Sequence, residues 1–365
     1  MKRAMTLLAC LALCGIFFTA TVYAEAMSNQ ELSDRIRQLE AKLGAEGGIL
    51  PDKWNERITL SGTIEVEAGY VSTDPEGGDS TDESDISVAT VELGVDAEIV
   101  KHVSGHILFL YEDGEDIVID EATITLSGED VIPAFLTVGE MYVPFGNFES
   151  HMISDPLTLE IAETREAAIQ VGVESGGFYG SAFIFNGDVD EADEDDDHID
   201  NFGANAGYTM ESDTFTIDAG ISYINNLIDA DGWEDIIDEE GLELNDYAAG
   251  LGAYAIVGIG PVTLIGEYIT ALDEIEWVGE APQDEISAWN LEVGYTFAIG
   301  EKEAVVAAAL QGTDEAENAF PETRYMGSFS LGIFKATTLA FEYAHGEFEN
   351  DDEEDAFTAQ LAIEF

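Results

Sequence analysis

From Arg57 to Phe365 apolar and polar residues alternate in one segment after another. A period of two fits a strand with two unlike faces, and no other regular element. In "ITLSGTIEVEAGY", Ile58, Leu60, Ile64, Val66, Ala68 and Tyr70 oppose Thr59, Ser61, Thr63, Glu65 and Glu67. Residues 91–99 set Val91, Leu93, Val95, Ala97 and Ile99 against Glu92, Asp96 and Glu98, and "TTLAFEYA" repeats the pattern with Leu339, Phe341 and Tyr343. Further segments begin near His102, Ile117, Ala134, Ala167, Phe178, Asn201, Thr214, Asn245, Pro261, Ile286, Glu303, Arg324 and Asp355. Together they make about sixteen strands of roughly 9–11 residues, the length a tilted strand needs to cross a bilayer. The last, "FTAQLAIEF", ends the chain on Phe365.

The connections alternate between short and long. "VKHV", "SGEDVIP", "ESGG", "MESD", "GIG", "IGEKE" and "FKA" are short; 72–84, 142–166, 187–200, 226–244, 272–285, 312–323 and 346–354 are long, with "YEDGED" the shortest of that set. Outer-membrane barrels have this asymmetry, with short periplasmic turns and long extracellular loops. An even number of strands beginning and ending on the short side places both termini in the periplasm. Closure requires the last strand to pair with the first, because an open edge leaves backbone groups unsatisfied in lipid. The expected fold is all-β, a transmembrane antiparallel barrel of about 16 strands over residues 57–365. Alternation alone would also suit a soluble secreted β-protein. The recurrence of Thr, Ser, Glu and Asp on the second face favours a wet lumen. No run after residue 24 reaches the roughly 18 apolar residues of a spanning helix.

Residues 1–24 read as a secretory signal, with Lys2 and Arg3 before an apolar stretch that ends at Val22-Tyr23-Ala24. A lipoprotein signal ending at Cys10 is the competing reading. Cys10 and Cys14 both lie inside this segment, so no disulfide or thiolate metal site is expected beyond it. Within 25–44, "SNQELSDRIRQLEAKL" carries Leu32, Ile36, Leu39 and Leu43 at heptad spacing. Ser28 and Glu31 fit a capping box, and Gly44 a stop. This is a short periplasmic coiled coil or a lone amphipathic helix; 45–56 is a linker. Two heptads are compatible with a homotrimer without counting chains.

The segment "GEMYVPFGNFESHMISDPLTLEIAETREAAIQ" (139–170) interrupts the strands longest. Pro144-Phe145-Gly146, Asp155-Pro156-Leu157-Thr158-Leu159-Glu160 and Glu163-Thr164-Arg165-Glu166 resemble the matching stretch of LbtU-type siderophore porins, outer-membrane barrels of Gram-negative bacteria. The leader, N-terminal helix and strand layout are similar to that family as well. The resemblance implies passive diffusion of small solutes, with iron–siderophore complexes as cargo. The C-terminal strand also resembles the signal read by the outer-membrane assembly machinery.

Loop 142–166 is apolar for a connection on a channel: Phe145, Phe148, Met152, Ile153 and Leu157 would be poorly placed in bulk water. Folded into the lumen, it would form a constriction bearing Phe145, Phe148, Asp155, Glu160, Glu163 and Arg165. Capping the rim or a subunit contact is the alternative. By alternation Glu65, Glu67, Glu92, Asp96, Glu98, Glu292 and Glu342 are lumen acids.

The chain carries 77 acidic and 12 basic residues, and loss of Lys2 and Arg3 leaves ten basic ones. Such a balance excludes a nucleic-acid partner. Acidic rings favour cations, so a cation-preferring pore is expected; a solvated acidic surface is the bland alternative for the loop tips. An acidic mouth repels anionic ferric siderophores. Asp229-Ala230-Asp231-Gly232 resembles half a calcium loop but does not complete it. No cofactor or specific metal site is expected; loose Ca2+ or Mg2+ association is compatible with the acidic loops and with lipopolysaccharide phosphates. No nucleophile–base spacing supports an enzyme. A structural or adhesive barrel without transport has the same pattern.

Overall fold

The computed structural model describes residues 57–128, 131–189, 191–192, 198–240, 242–279, 282–316 and 319–365. The signal segment, the heptad helix and the linker lie outside these residues.

Sixteen strands close into one antiparallel barrel. They are β1 (Ile58–Asp74), β2 (Thr81–Val100), β3 (Val103–Glu112), β4 (Val118–Ser127), β5 (Ala134–Tyr142), β6 (Arg165–Ser175), β7 (Phe178–Phe185), β8 (Asn201–Ser212) and β9 (Phe215–Ile224), then β11 (Gly250–Ile259), β12 (Val262–Ala271), β14 (Ser287–Ile299), β15 (Lys302–Asp314), β16 (Thr323–Phe334), β17 (Thr337–Glu347) and β18 (Glu353–Glu364). Two short strands in the loops, β10 (Leu244–Asp246) and β13 (Glu276–Trp277), pair with each other. Two helices, α1 (Leu157–Glu160) and α2 (Asp231–Glu240), also lie in loops.

β18 closes the cylinder against β1, with Ile363 opposite Ile64 and Ala359 opposite Ala68. Beyond the ladder, Gly62 and Phe365 exchange N–H···O bonds of 3.0 Å in both directions. The terminal Phe365 thus belongs to the wall, and the last strand has no open edge toward lipid.

At one end of the barrel the connections 101–102, 176–177, 213–214, 260–261, 300–301 and 335–336 are two-residue turns. Gly176 and Gly177 both adopt positive φ, 62° and 87°, the geometry that matches the twist of paired strands. The long connections all lie at the other end. On the outer face large apolar side chains are exposed, among them Leu60, Leu93, Ile124, Val171, Leu291, Val293 and Tyr343. So much contiguous apolar surface has a natural solvent only in lipid.

Two boundaries depart from the sequence reading. β2 starts at Thr81, ten residues before Val91, and β1 runs on to Asp74, so the 72–84 loop shrinks to 75–80. There the strands are polar on both faces, and an apolar beat cannot reveal them. Asn245 belongs to the small β10–β13 sheet, and the barrel strand begins only at Gly250.

Candidate functional site

Loop 143–164 leaves β5 and turns into the barrel. Val143 N–H donates to Thr164 O at 2.9 Å and clasps the two ends together. Gly146 takes φ 79°, and a Cβ there would strike the Phe148 ring, so this bend needs glycine. The loop then crosses the inner wall on three glutamates. Asn147 and Phe148 N–H donate to the two oxygens of Glu267, on β12, at 2.7 and 3.2 Å. Three residues on, the Ser150 hydroxyl and His151 N–H donate to Glu292, on β14, at 2.8 Å each. Three further, Ile153 N–H and the Ser154 hydroxyl donate to Glu342, on β17, the hydroxyl at 2.5 Å. Thr158 returns to Glu267 at 2.8 Å, and Ser328 of β16 donates to His151 O at 2.9 Å.

This ladder meets two needs at once. An irregular loop inside a barrel has backbone N–H groups with no strand to receive them, and each must find an acceptor. A glutamate on a wall covered by protein needs donors, because a desolvated charge is costly unless hydrogen-bonded. Glu267, Glu292 and Glu342 are only 5%, 5% and 2% exposed. Hydrogen bonds to a charged acceptor contribute about 1.5–3 kcal/mol each.

Apolar packing holds the loop from its other side. Phe145, Leu157 and Ile161 are buried in one cluster with wall residues Phe183, Phe185, Ile224 and Ile269. Each such side chain contributes about 1.5–3 kcal/mol. α2 closes the top: Trp233 Nε1 donates to Ile161 O at 3.3 Å, and Asp231 N–H to Glu163 O at 2.9 Å.

Asp155 and Glu160 stand at the edge of the loop. Arg324 of β16 reaches them, with Nη2 on Asp155 O and Nε on Gln311 Oε1 at 3.0 Å. Protein crowding raises the Asp155 carboxyl above its ordinary value; the Arg324 charge opposes this and Glu67, from the β1 wall, adds to it. Glu160 is raised in the same way, by burial and then by Asp155. Glu163, half-buried under α2, is pushed up to about 8 by burial and by Asp231.

The remaining predicted acids line a different part of the wall. Glu65 and Glu67 on β1 and Glu92, Asp96 and Glu98 on β2 point to the lumen, as the outward Leu60, Ile64 and Leu93 require. Strand register sets Glu92 opposite Thr63 and Glu65 opposite Thr90. Glu112 of β3 lies opposite Thr90 and joins the group, as does Glu121 of β4. Gln360 donates to Glu67 at 2.9 Å, and His106 lies 2.8 Å from Asp96. These carboxylates receive no donor from the loop among the described residues.

Arg165 is not part of the constriction. It begins β6 on the face shared with Ile169 and Val171, which are exposed outward, and it pairs with Tyr142 of β5. There Arg165 Nη1 meets Glu140 at 3.1 Å and Nε meets Asp120 at 3.5 Å, while the Tyr142 hydroxyl donates to Asp120 at 3.0 Å. The strand begins at Arg165, two residues before the expected start at Ala167, so Arg165 belongs to the barrel wall and not to the loop. Phe145 is walled in by the core, Asp155 is exposed and Glu160 is half-buried.

Reading the sequence for alternation also missed Glu267, Gln311 and Arg324. Around Glu267 both faces of β12 are apolar, because Ile265 and Ile269 point inward under the loop. The polar beat that marks a wet wall is therefore absent where the loop dries it.

A sixteen-stranded barrel with an apolar exterior, a charged interior and a loop folded across it defines an outer-membrane channel. The chain belongs to the Gram-negative porin family, whose model matches residues 9–352. Among its relatives, a UPF0422 protein of Coxiella burnetii is 27% identical over 323 residues, covering 84% of this chain and 68% of that protein. A UPF0422 protein of Legionella pneumophila strain Lens is 24% identical over 320 residues, and the match spans 79% of this chain and 58% of the relative. The barrel is similar to the outer membrane channel DcaP of Acinetobacter baumannii, with a TM-score of 0.59 and 13% identity over 84% of this chain and 97% of that one. It is equally similar to the anion-selective porin of Comamonas acidovorans, at 0.59 and 12% over 84% and 99%. At such identities the likeness is one of fold.

Proposed function

We propose that this porin conducts small cations and neutral solutes past a constriction formed by loop 143–164 on one side and the acidic β1–β4 wall on the other. The observation that carries this reading is the division of the lumen carboxylates. Glu267, Glu292 and Glu342 are consumed by the loop, whereas Glu65, Glu67, Glu92, Asp96, Glu98, Glu112 and Glu121 face the space the loop leaves open. Carboxylates exposed to a water-filled passage attract cations and repel anions. The acids at the passage edge, Asp155 and Glu160, add to the same field, with Arg324 as a local counterweight.

The resemblance to LbtU-type siderophore porins adds iron–siderophore complexes as cargo, under the condition that the complex is neutral or cationic. On the usual polarity of these barrels both termini and the short turns face the periplasm, the long acidic loops face outward, and the N-terminal heptads are compatible with a homotrimer. Bilayer recording of the purified protein in a KCl gradient tests the reading. Ohmic channels with a cation-side reversal potential are expected. Absence of conductance would favour a purely structural barrel, and an anion-side potential would remove the proposed selectivity.

A further inference from the structure

One cross-strand row of the wall reads Tyr179, Gly207, Gly220, Tyr254, a residue each from β7, β8, β9 and β11. All four lie on the lumen side, since Phe178, Phe202, Ile221 and Leu251 are exposed outward. The two glycines decide how the two rings lie. A Cβ at Gly207 would strike the end of the Tyr179 ring. One at Gly220 would come within 2.7 Å of Tyr254 Cε1 and 3.0 Å of the Tyr179 hydroxyl. The rings therefore lie down over the glycines, toward each other, where ordinary side chains would make them stand away from the wall. Their hydroxyls meet above β9, and both donate to Asp218 Oδ1, at 3.0 and 3.1 Å. Both tyrosines are half-buried: the wall covers one side of each and the lumen meets the other.

The next row, Ser181, Asn205 and Ser222, is polar and uncharged. Gln170 Nε2 donates to Ser181 Oγ at 2.9 Å, and Ser181 N–H and hydroxyl donate to Asn205 Oδ1 at 2.9 and 2.7 Å. Asn205 Nδ2, Gln170 Oε1 and Asp218 Oδ2 have no partner among the described residues, so the patch offers donor and acceptors together. Ser222 Oγ accepts Gly146 N–H at 3.1 Å. The tyrosine row thus lies one step beyond the constriction loop, toward the short-turn end. β8 and β9 stand half-way round the cylinder from β1, so the patch lies across the lumen from Glu65 and Glu67.

We propose that this patch is a subsite for a neutral saccharide, with a pyranose ring laid on the two tyrosines and its hydroxyls bonded to Asp218, Asn205 and Gln170. A pyranose has an apolar face of C–H groups and a rim of hydroxyls, each able to donate and to accept. The patch supplies the matching halves, ring surface for the apolar face and mixed polar groups for the rim. A small organic cation would use the rings and Asp218 but leave the Asn205 amide donor unmatched. The inference deepens the reading of a passage open to neutral solutes and rests on it.

The test measures binding of maltotriose to the full chain folded in detergent, by calorimetry and by saturation-transfer NMR. Saturable binding is expected, with saturation of the protein's aromatic protons reaching the pyranose C–H protons. Tyr254→Ala should weaken it by about two- to tenfold, the scale of one aromatic contact. Gly220→Ala keeps both tyrosines, and the nearest atoms its methyl would meet belong to their rings, so by lifting them it should weaken binding to a similar degree. Tyr268→Ala, on the outward side of β12, should leave binding unchanged. The NMR transfer in the wild type does not depend on how the variants fold. Absence of saturable binding, equal binding of tetraethylene glycol, tighter binding of choline, or equal binding by all folded variants overturns the proposal. No bilayer is involved, so the two readings fail separately. A barrel that binds maltotriose but passes no current contradicts the channel, and one that conducts without binding it contradicts the subsite.

Discussion

Glu65 and Glu292 have the same local signature, a glutamate between two apolar residues in a strand, yet they meet different surroundings. Glu292 receives the Ser150 hydroxyl and His151 N–H, while Glu65 faces Thr90 and the acids beside it. Replacing Glu342 by Gln keeps the shape but removes the charge that strengthens the bonds from Ile153 N–H, Ser154 N–H and the Ser154 hydroxyl, and each charged hydrogen bond contributes about 1.5–3 kcal/mol. The loop should loosen: thermolysin cleavage near Phe148 and Leu157 should accelerate, and open-channel current noise should rise, with the barrel still resistant. Glu163 gives a pH prediction of definite sign. Its carboxyl is held up to about 8 in the folded protein, above its ordinary value, so the folded state binds the extra proton. Stability linked to Glu163 is therefore present at acidic pH and is lost as pH rises toward and through 8. Comparison of melting temperatures from pH 5 to 9 should show a steeper decline in the wild type than in Glu163→Gln.

The elements differ in how openly the sequence displays them. Most of the barrel strands follow from alternation, because lipid outside and water inside impose one polarity on each face. The exceptions have physical causes. β2 extends through "TDESD" above the apolar band, where both faces meet water, and β12 hides Glu267 between residues that the loop has dried. α2 shows Trp233, Ile236 and Ile237 at helical spacing, but a ten-residue helix inside an acidic connection is easily taken for part of the loop. The apolar content of loop 143–164 suggested a lumen position; its anchoring did not show, because ladders of backbone N–H on glutamates have no side-chain signature in the loop itself. At this scale the prediction concerns the loop as a unit. Replacing residues 146–161 by a short Gly–Ser connection should raise single-channel conductance severalfold without loss of the folded barrel. An unchanged conductance would place the narrowest point elsewhere.

At the scale of the molecule, acidity serves two ends separated by position rather than by residue type. Exposed loop acids such as Asp79, Asp113 and Asp273 stand in solvent, where their field fades within about 10 Å at 0.1 M salt. On the proposed reading the β1–β4 carboxylates line the passage and set its selectivity at short range. Across the lumen, chemically identical carboxylates are neutralised in effect by the loop they hold. Exchanging the two sets separates these roles most directly: reversal potential and conductance in a KCl gradient for Glu65→Gln/Glu67→Gln/Glu92→Gln beside Glu292→Gln/Glu342→Gln. The first set should move the potential toward zero with little change in conductance, and the second should raise conductance while the potential keeps its cation sign. If the first set leaves the potential where it was and the second abolishes it, the loop-bound glutamates are the selective ones, and the division of the lumen described above is wrong.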